Sequence, residues 1–144
     1  MSFQSDELNG QWASPQDCSD VYPNIEGALQ GNIGRLTNAI AEATGDAQSV
    51  LRSRWPQGWP FSSPPAEVRR AVAVLAVRSA AFGALISSGA HESAEQLRLY
   101  AKERREWLNL IANSEAHLQL PATEQNQGSP AVAGAPRGEF GFTR

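Results

Sequence analysis

The stretch from Pro64 to Ile86, PPAEVRRAVAVLAVRSAAFGALI, constrains the fold of this chain more than any other segment. Its apolar residues follow helical spacing on two separate strips of one predicted helix, the first being Val68, Val72, Leu75, Phe82 and Leu85 and the second Val74, Val77, Ala81 and Ala84. A helix that is apolar on two sides is buried on two sides, so other elements must cover most of its surface. We therefore predict that this segment is the central helix of one small helical core.

Two further segments have the length and periodicity to cover that helix. Apolar side chains recur every three or four residues from Asn32 to about Arg54 and again from about Glu92 to Ala112. Gly45 lies inside the first of these helices, where glycine costs up to about 1 kcal/mol relative to alanine, and this predicts a kink or a close helix contact. Together the three segments predict an all-α fold, a small bundle of three long helices.

The charged face of the third long helix has two interpretations. Most such faces are simply solvated, and here Lys102 and Glu106 are spaced for a favourable pair of opposite charges. The alternative is an interface between protomers, for which Arg98, Arg105 and Glu106 are the candidate residues.

The region before the long helices predicts one or two short helices. Ser14 is a suitable N-cap and Pro15 suits a first helical turn, so a short helix should begin there and end at Pro23. Residues 24–30 could add another turn or two. Residues 1–14 show no sustained period and are interpreted as an arm, in which Trp12 could still dock on the core.

A proline-rich loop, WPQGWPFSSPP, interrupts both helix and sheet after the first long helix. It nevertheless contains three large aromatic residues, Trp55, Trp59 and Phe61. One interpretation is that these rings close one end of the helical cluster. The other is that they form a contact surface for a partner.

Residues 121–144 differ in composition from the rest of the chain. They are rich in small residues, glycine and proline, and cannot bury enough apolar area to offset the entropy of ordering the backbone. We predict an extended, flexible tail after a helical domain at residues 15–120. At its end, Phe140 and Phe142 alternate with small residues before Arg144. This pattern suits a peptide that adds a strand to the sheet edge of another protein. The alternative is that the two phenylalanines have no role at a frayed end.

The charge and the cysteine content limit the possible binding partners and the cellular compartment of the protein. The chain has a net charge of −3, whereas tight binding to the phosphates of duplex DNA requires a clustered basic surface. The single cysteine, Cys18, has no internal disulfide partner, and the N-terminus does not resemble a signal peptide, so we expect a reducing compartment. Because Arg69, Arg70 and Arg78 interrupt the most apolar segment, we expect no membrane span.

No constellation for catalysis or metal binding is visible in the sequence. His91 and His117 lack cysteine or carboxylate neighbours at zinc-ligand spacing, and acidic neighbours of Cys18 would raise the pKa of its thiol. Phosphate-loop, nucleophile-elbow and dinucleotide-binding motifs are missing as well. We therefore expect no enzyme activity, no cofactor and no metal.

Two segments in this order resemble a known family. They are SVLRSRWPQGWPFSSPPAEVRRAVAVLAVRSAAFG and EQLRLYAKERREWLNLIA, and the final FGFTR is similar to the aromatic-Thr-Arg ending of some members. They resemble the head-tail connector, or adaptor, proteins of tailed bacteriophages, including the Mu-like head-completion proteins. The resemblance covers about residues 15–120 and the extreme C-terminus. Trp55 stands where an aromatic residue closes the family's second helix.

The resemblance implies a virion protein of the neck, present in the host cytoplasm before assembly. Protomers would form a homo-oligomeric ring, commonly dodecameric, beneath the portal protein. The ring would extend the DNA channel without gripping DNA and would dock a tail or stopper protein. Its C-terminal segment would reach the portal, with Phe140 and Phe142 filling pockets and Arg144 pairing with an acidic group.

A second hypothesis is a small helical regulatory or DNA-binding protein. In that case Arg69, Arg70 and Arg78 would face the ligand, although no helix-turn-helix spacing accompanies them. An enzyme with unrecognised chemistry is a third possibility and predicts a deep polar pocket.

Overall fold

Five α-helices form the regular secondary structure of residues 5–118, the part of the chain that the computed structural model describes. They are α1 (Pro15–Val21), α2 (Ile25–Ala28), α3 (Ile33–Leu51), α4 (Ala66–Ser87) and α5 (His91–Ala112). No strand occurs within these residues. The prediction of an all-α fold is confirmed for this part of the chain, and the predicted tail at 121–144 lies outside it.

Helix α4 is the element around which the others pack, because it contacts each of the other four helices. Residues of both predicted apolar strips are fully buried, among them Val68 and Val72 on the first and Val74 and Val77 on the second. Helices α3 and α5 flank α4 and also contact each other. The core therefore surrounds α4 on the two sides that its sequence pattern predicts.

By length and composition alone, α4 is apolar enough to cross a membrane, with a mean hydropathy of 1.5. The expectation that Arg69, Arg70 and Arg78 leave this segment too polar for a membrane span is therefore wrong, as far as length and composition are concerned. A central helix of a protein core passes the same test, and more than half of the apolar window in α4 is buried against its own chain. Packing against four helices accounts for the hydropathy of this segment.

The helix ends follow the capping residues that the sequence predicts. Ser14 accepts a hydrogen bond from the Asp17 amide, and the Asp17 carboxylate accepts one from the Ser14 amide, which forms a capping box at the start of α1. After α4, Gly89 adopts a left-handed conformation with φ of 86°. The Ala90 amide then donates to the Leu85 carbonyl at 2.8 Å, which closes the helix end as a Schellman motif.

The segment before α1 has no helix or strand over residues 5–14, yet part of it belongs to the core. Trp12 is only 6% exposed, and its amide donates to the buried Thr44 hydroxyl of α3 at 3.1 Å. The chain thus docks on α3 before α1 begins.

Gly45 does not mark a close helix contact. Apart from its chain neighbours and the nearby backbone of α3, no described atom lies within 4 Å of the Cβ that a larger residue would add there, and α3 runs unbroken through this position. The expectation of a contact is wrong because Gly45 lies on the solvent-exposed side of the helix.

Candidate functional site

A groove of about 400 Å³ lies between α3, α4 and α5. Its floor is formed by the buried residues Ala43, Leu75 and Ala101, one from each helix. Its walls are charged, with four basic side chains against two acidic ones: Arg78, Arg98, Lys102, Arg105, Glu42 and Asp46. We call this feature the basic groove.

Helical spacing brings these charges together. Arg98, Lys102 and Arg105 are separated by four and three residues, so they lie along one face of α5. Glu42 and Asp46 are four residues apart on α3 and line the same groove. Two of the predicted protomer-interface residues, Arg98 and Arg105, therefore belong to one site.

The arginines of the groove have different partners. Arg98 makes a two-pronged ion pair with Glu95, one turn earlier on α5, with nitrogen-to-oxygen distances of 3.0 and 2.6 Å. Hydrogen bonding from Arg98 lowers the pKa of Glu95, and the same bond raises the pKa of Arg98. Arg105 lies 3.6 Å from Asp46, a looser pair between exposed side chains. Both arginines thus remain at the surface, and residues 5–118 use only part of their capacity to donate hydrogen bonds.

Lys102 and Glu106 do not form the predicted pair. Within residues 5–118 neither side chain has an ion-pair partner. Lys102 lines the basic groove, whereas Glu106 is not among the groove residues. The two side chains therefore lie on different surfaces of α5.

A second surface of α5, which we call the outer ridge, consists of Leu99, Glu103, Glu106 and Leu110. Their spacing of four, three and four residues places them along one exposed line of the helix. Leu99 is 50% exposed and Leu110 is 41% exposed, and they are two of the three exposed large apolar residues in the described part of the chain. The ridge combines two carboxylates with two uncovered leucines.

The aromatic loop packs inward. Trp55 and Phe61 are buried and Trp59 is half-buried. The ring centroids of Trp12 lie 5.1 Å from Trp59 and 5.4 Å from Phe61, in edge-to-face geometry. These contacts match the interpretation in which the loop closes one end of the core, and they leave Trp59 as its most accessible ring.

Arg69 holds the N-terminal segment against α4. Its guanidinium donates to the Asp17 carboxylate at 2.8 and 3.0 Å and to Asp6 at 2.8 Å. Burial opposes the charged form, but the hydrogen bonds and charges of Asp17 and Asp6 outweigh it and raise the pKa of Arg69. This side chain is committed to a structural ion pair.

The three arginines proposed to face a nucleic acid do not share a surface. Arg70 donates to the Tyr100 hydroxyl at 3.0 Å, and the guanidinium of Arg78 lies 4.8 Å from the ring centre of Phe82. Arg69 and Arg78 are nine residues apart, which places them on opposite sides of the helix. Only Arg78 contributes to the basic groove.

No group of acidic, histidine or cysteine side chains that could hold a metal ion occurs among residues 5–118. His91 and His117 are both exposed, at the start of α5 and beyond its end. Cys18 is fully buried, and burial, with a smaller contribution from the charge of Asp17, raises the pKa of its thiol to about 12. The thiol is therefore neutral and shielded.

The groove was not predicted from the sequence, although both halves of its charge pattern can be read there. The spacing of the bases on α5 and of the acids on α3 is visible, but only the packing of both helices on α4 brings the two sets together. The predicted portal-contacting residues Phe140, Phe142 and Arg144 lie outside the described residues.

No protein-family model matches the chain, and comparisons with curated proteins and with solved structures find no significant match.

Proposed function

We propose that this protein is a structural head-tail adaptor of a tailed phage. Copies of it would form a ring beneath the portal protein, extend the DNA channel and dock the tail or stopper protein. In this proposal the three long helices act as a rigid bundle, and the C-terminal tail at 121–144 carries Phe140, Phe142 and Arg144 to the portal. The DNA would pass through the ring without specific binding.

The observation that carries the proposal is that α5 presents two unlike surfaces that the rest of residues 5–118 does not cover. One is the basic groove, with Arg98 and Arg105, and the other is the outer ridge, with Glu106. A protomer that joins others head to tail needs two different surfaces. The resemblance of the sequence to connector proteins supports the same reading.

The experiment is to delete residues 136–144 and measure binding to the purified cognate portal protein. We expect binding to fall by at least about tenfold, because a peptide that adds to a sheet edge supplies main-chain hydrogen bonds as well as anchors for pockets. The double variant Phe140→Ala, Phe142→Ala should show most of the same loss.

A matched control removes residues 122–130 and keeps the final peptide. This shorter tether should retain measurable binding, because the portal-binding peptide is intact. Unchanged affinity after deletion of 136–144 would contradict the role given to the tail.

The second candidate, a small helical regulatory or DNA-binding protein, is favoured by one observation: Arg78, Arg98, Lys102 and Arg105 surround a single groove. A gel shift with nonspecific duplex DNA at low salt separates the two functions. The adaptor should leave the DNA unshifted, whereas a DNA-binding protein should shift it and release it as salt rises.

A further inference from the structure

We propose that the outer ridge of α5 in one copy of this chain docks into the basic groove of the next copy. This inference rests on the proposed function, because an adaptor ring requires repeated contacts between copies, and it names the surfaces that would make those contacts.

The basic groove and the outer ridge are complementary in charge. The groove carries an excess of basic side chains, and Lys102 has no ion-pair partner among residues 5–118. The ridge presents Glu103, which lies 3.8 Å from the Arg104 Nε, and Glu106, which is unpaired within the same residues. Like charges would repel in a contact between two ridges or two grooves, whereas ridge against groove joins opposite charges.

Both surfaces also carry apolar groups. Leu99 and Leu110 flank the two carboxylates of the ridge and are about half exposed. The floor of the groove is apolar, formed by Ala43, Leu75 and Ala101. A helix face with apolar ends and a charged middle is suited to a groove that has an apolar floor and charged walls.

The positions of the two surfaces on α5 allow both to be used at the same time. Arg98 and Leu99 are adjacent in sequence, as are Lys102 and Glu103, so ridge and groove lie side by side on α5 at about 100° around the helix. One copy can therefore use its ridge toward one neighbour and its groove toward another. Such a contact is heterologous, and its repetition closes a ring or extends a filament.

The test measures self-association of the full chain by sedimentation, without any portal protein. The ridge variant is Glu103→Lys, Glu106→Lys, and the groove variant is Lys102→Glu, Arg105→Glu. Each should weaken self-association by more than about 100-fold, because like charges then face each other. A control variant, Glu7→Lys, Glu115→Lys, makes the same change of net charge as the ridge variant but outside both surfaces, and it should associate as the unchanged chain does.

Mixing supplies the sharper readout. The unchanged ridge of the groove variant fits the unchanged groove of the ridge variant, and the two substituted surfaces are also opposite in charge. The mixture should therefore regain association with the two variants alternating, although neither associates alone. A chain with all four substitutions inverts both surfaces and should recover association. Circular dichroism checks that each variant is folded, and Lys102→Glu alone serves as a groove variant that leaves the Arg105 pair with Asp46 in place.

Several outcomes would overturn the inference: an unchanged chain that stays monomeric at all concentrations, variants that associate like the unchanged chain, or a mixture that forms no complex. A monomeric chain whose groove variant alone loses binding to an oligonucleotide would assign the groove to nucleic acid instead. The self-association test contains no portal protein, so its result does not depend on the tail. The deletion of residues 136–144 tests portal binding, and either experiment can fail while the other succeeds.

Discussion

The thiol of Cys18 is enclosed where α1 packs on α4. It is fully buried, and its sulfur lies 4.0 Å from the Ala73 carbonyl oxygen, toward which the thiol hydrogen points. Ionising it would place a negative charge in an apolar environment next to Asp17. The folded state therefore binds this proton more tightly than the unfolded state does.

We expect Cys18 to make stability decline at alkaline pH. Its pKa is raised from an ordinary value of 9.0 to about 12, so its contribution is fully present below pH 9.0 and is lost as pH rises toward 12. The slope for one group approaches about 1.4 kcal/mol per pH unit. The measurement is urea unfolding at several alkaline pH values for the natural chain and for Cys18→Ala. The free energy of unfolding should fall more steeply for the natural chain, and parallel curves would contradict the assignment.

At the scale of single helices, local sequence signals predict most of the structure. The start of α1 follows from Ser14 and Pro15, and the end of α4 follows from Gly89, because caps act over one or two turns. Whether Gly45 contacts another helix does not follow in the same way. Whether a helix glycine touches a neighbour depends on which helices pack there, and that information is tertiary.

The open surroundings of Gly45 predict a stabilising substitution. Gly45→Ala should raise the free energy of unfolding by up to about 1 kcal/mol, since alanine restricts the unfolded chain and has room in the folded one. Thermal and urea unfolding measure the change. Gly89→Ala is the contrasting control, because Gly89 has a φ of 86°, which a residue with a side chain rarely adopts, and the substitution should bring no gain. Equal effects at both positions would refute this explanation.

At the scale of the whole molecule, the sequence predicts which helix is central but not what joins the distant parts. Trp12 stands alone in a segment without periodicity, so nothing in its neighbourhood indicates that it meets Trp59 and Phe61. The basic groove is equally invisible in the sequence, because three helices that are separated along the chain contribute to it. Contacts of this kind depend on tertiary packing, which periodicity within one helix does not encode.

We expect Trp12 to be a major contributor to stability. Trp12→Ala removes a ring that is 6% exposed and packed against two others, and should lower the free energy of unfolding by about 3–5 kcal/mol. Urea unfolding gives the value, and the near-ultraviolet circular dichroism should weaken. Trp59→Ala, at a half-buried position, should cost less. A negligible effect of Trp12→Ala would show that residues 1–14 behave as a free arm.

The central position of α4 also has a consequence for synthesis on the ribosome. Its cover comes partly from α3, which is made earlier, and partly from α5, which follows after the short turn at Ser88–Ala90. Until α5 has left the exit tunnel, one apolar side of α4 has no partner, and nascent chains with such surfaces aggregate or bind chaperones. The brief connection shortens that exposed interval, because α5 is the next element to be translated and can fold back onto α4 at once.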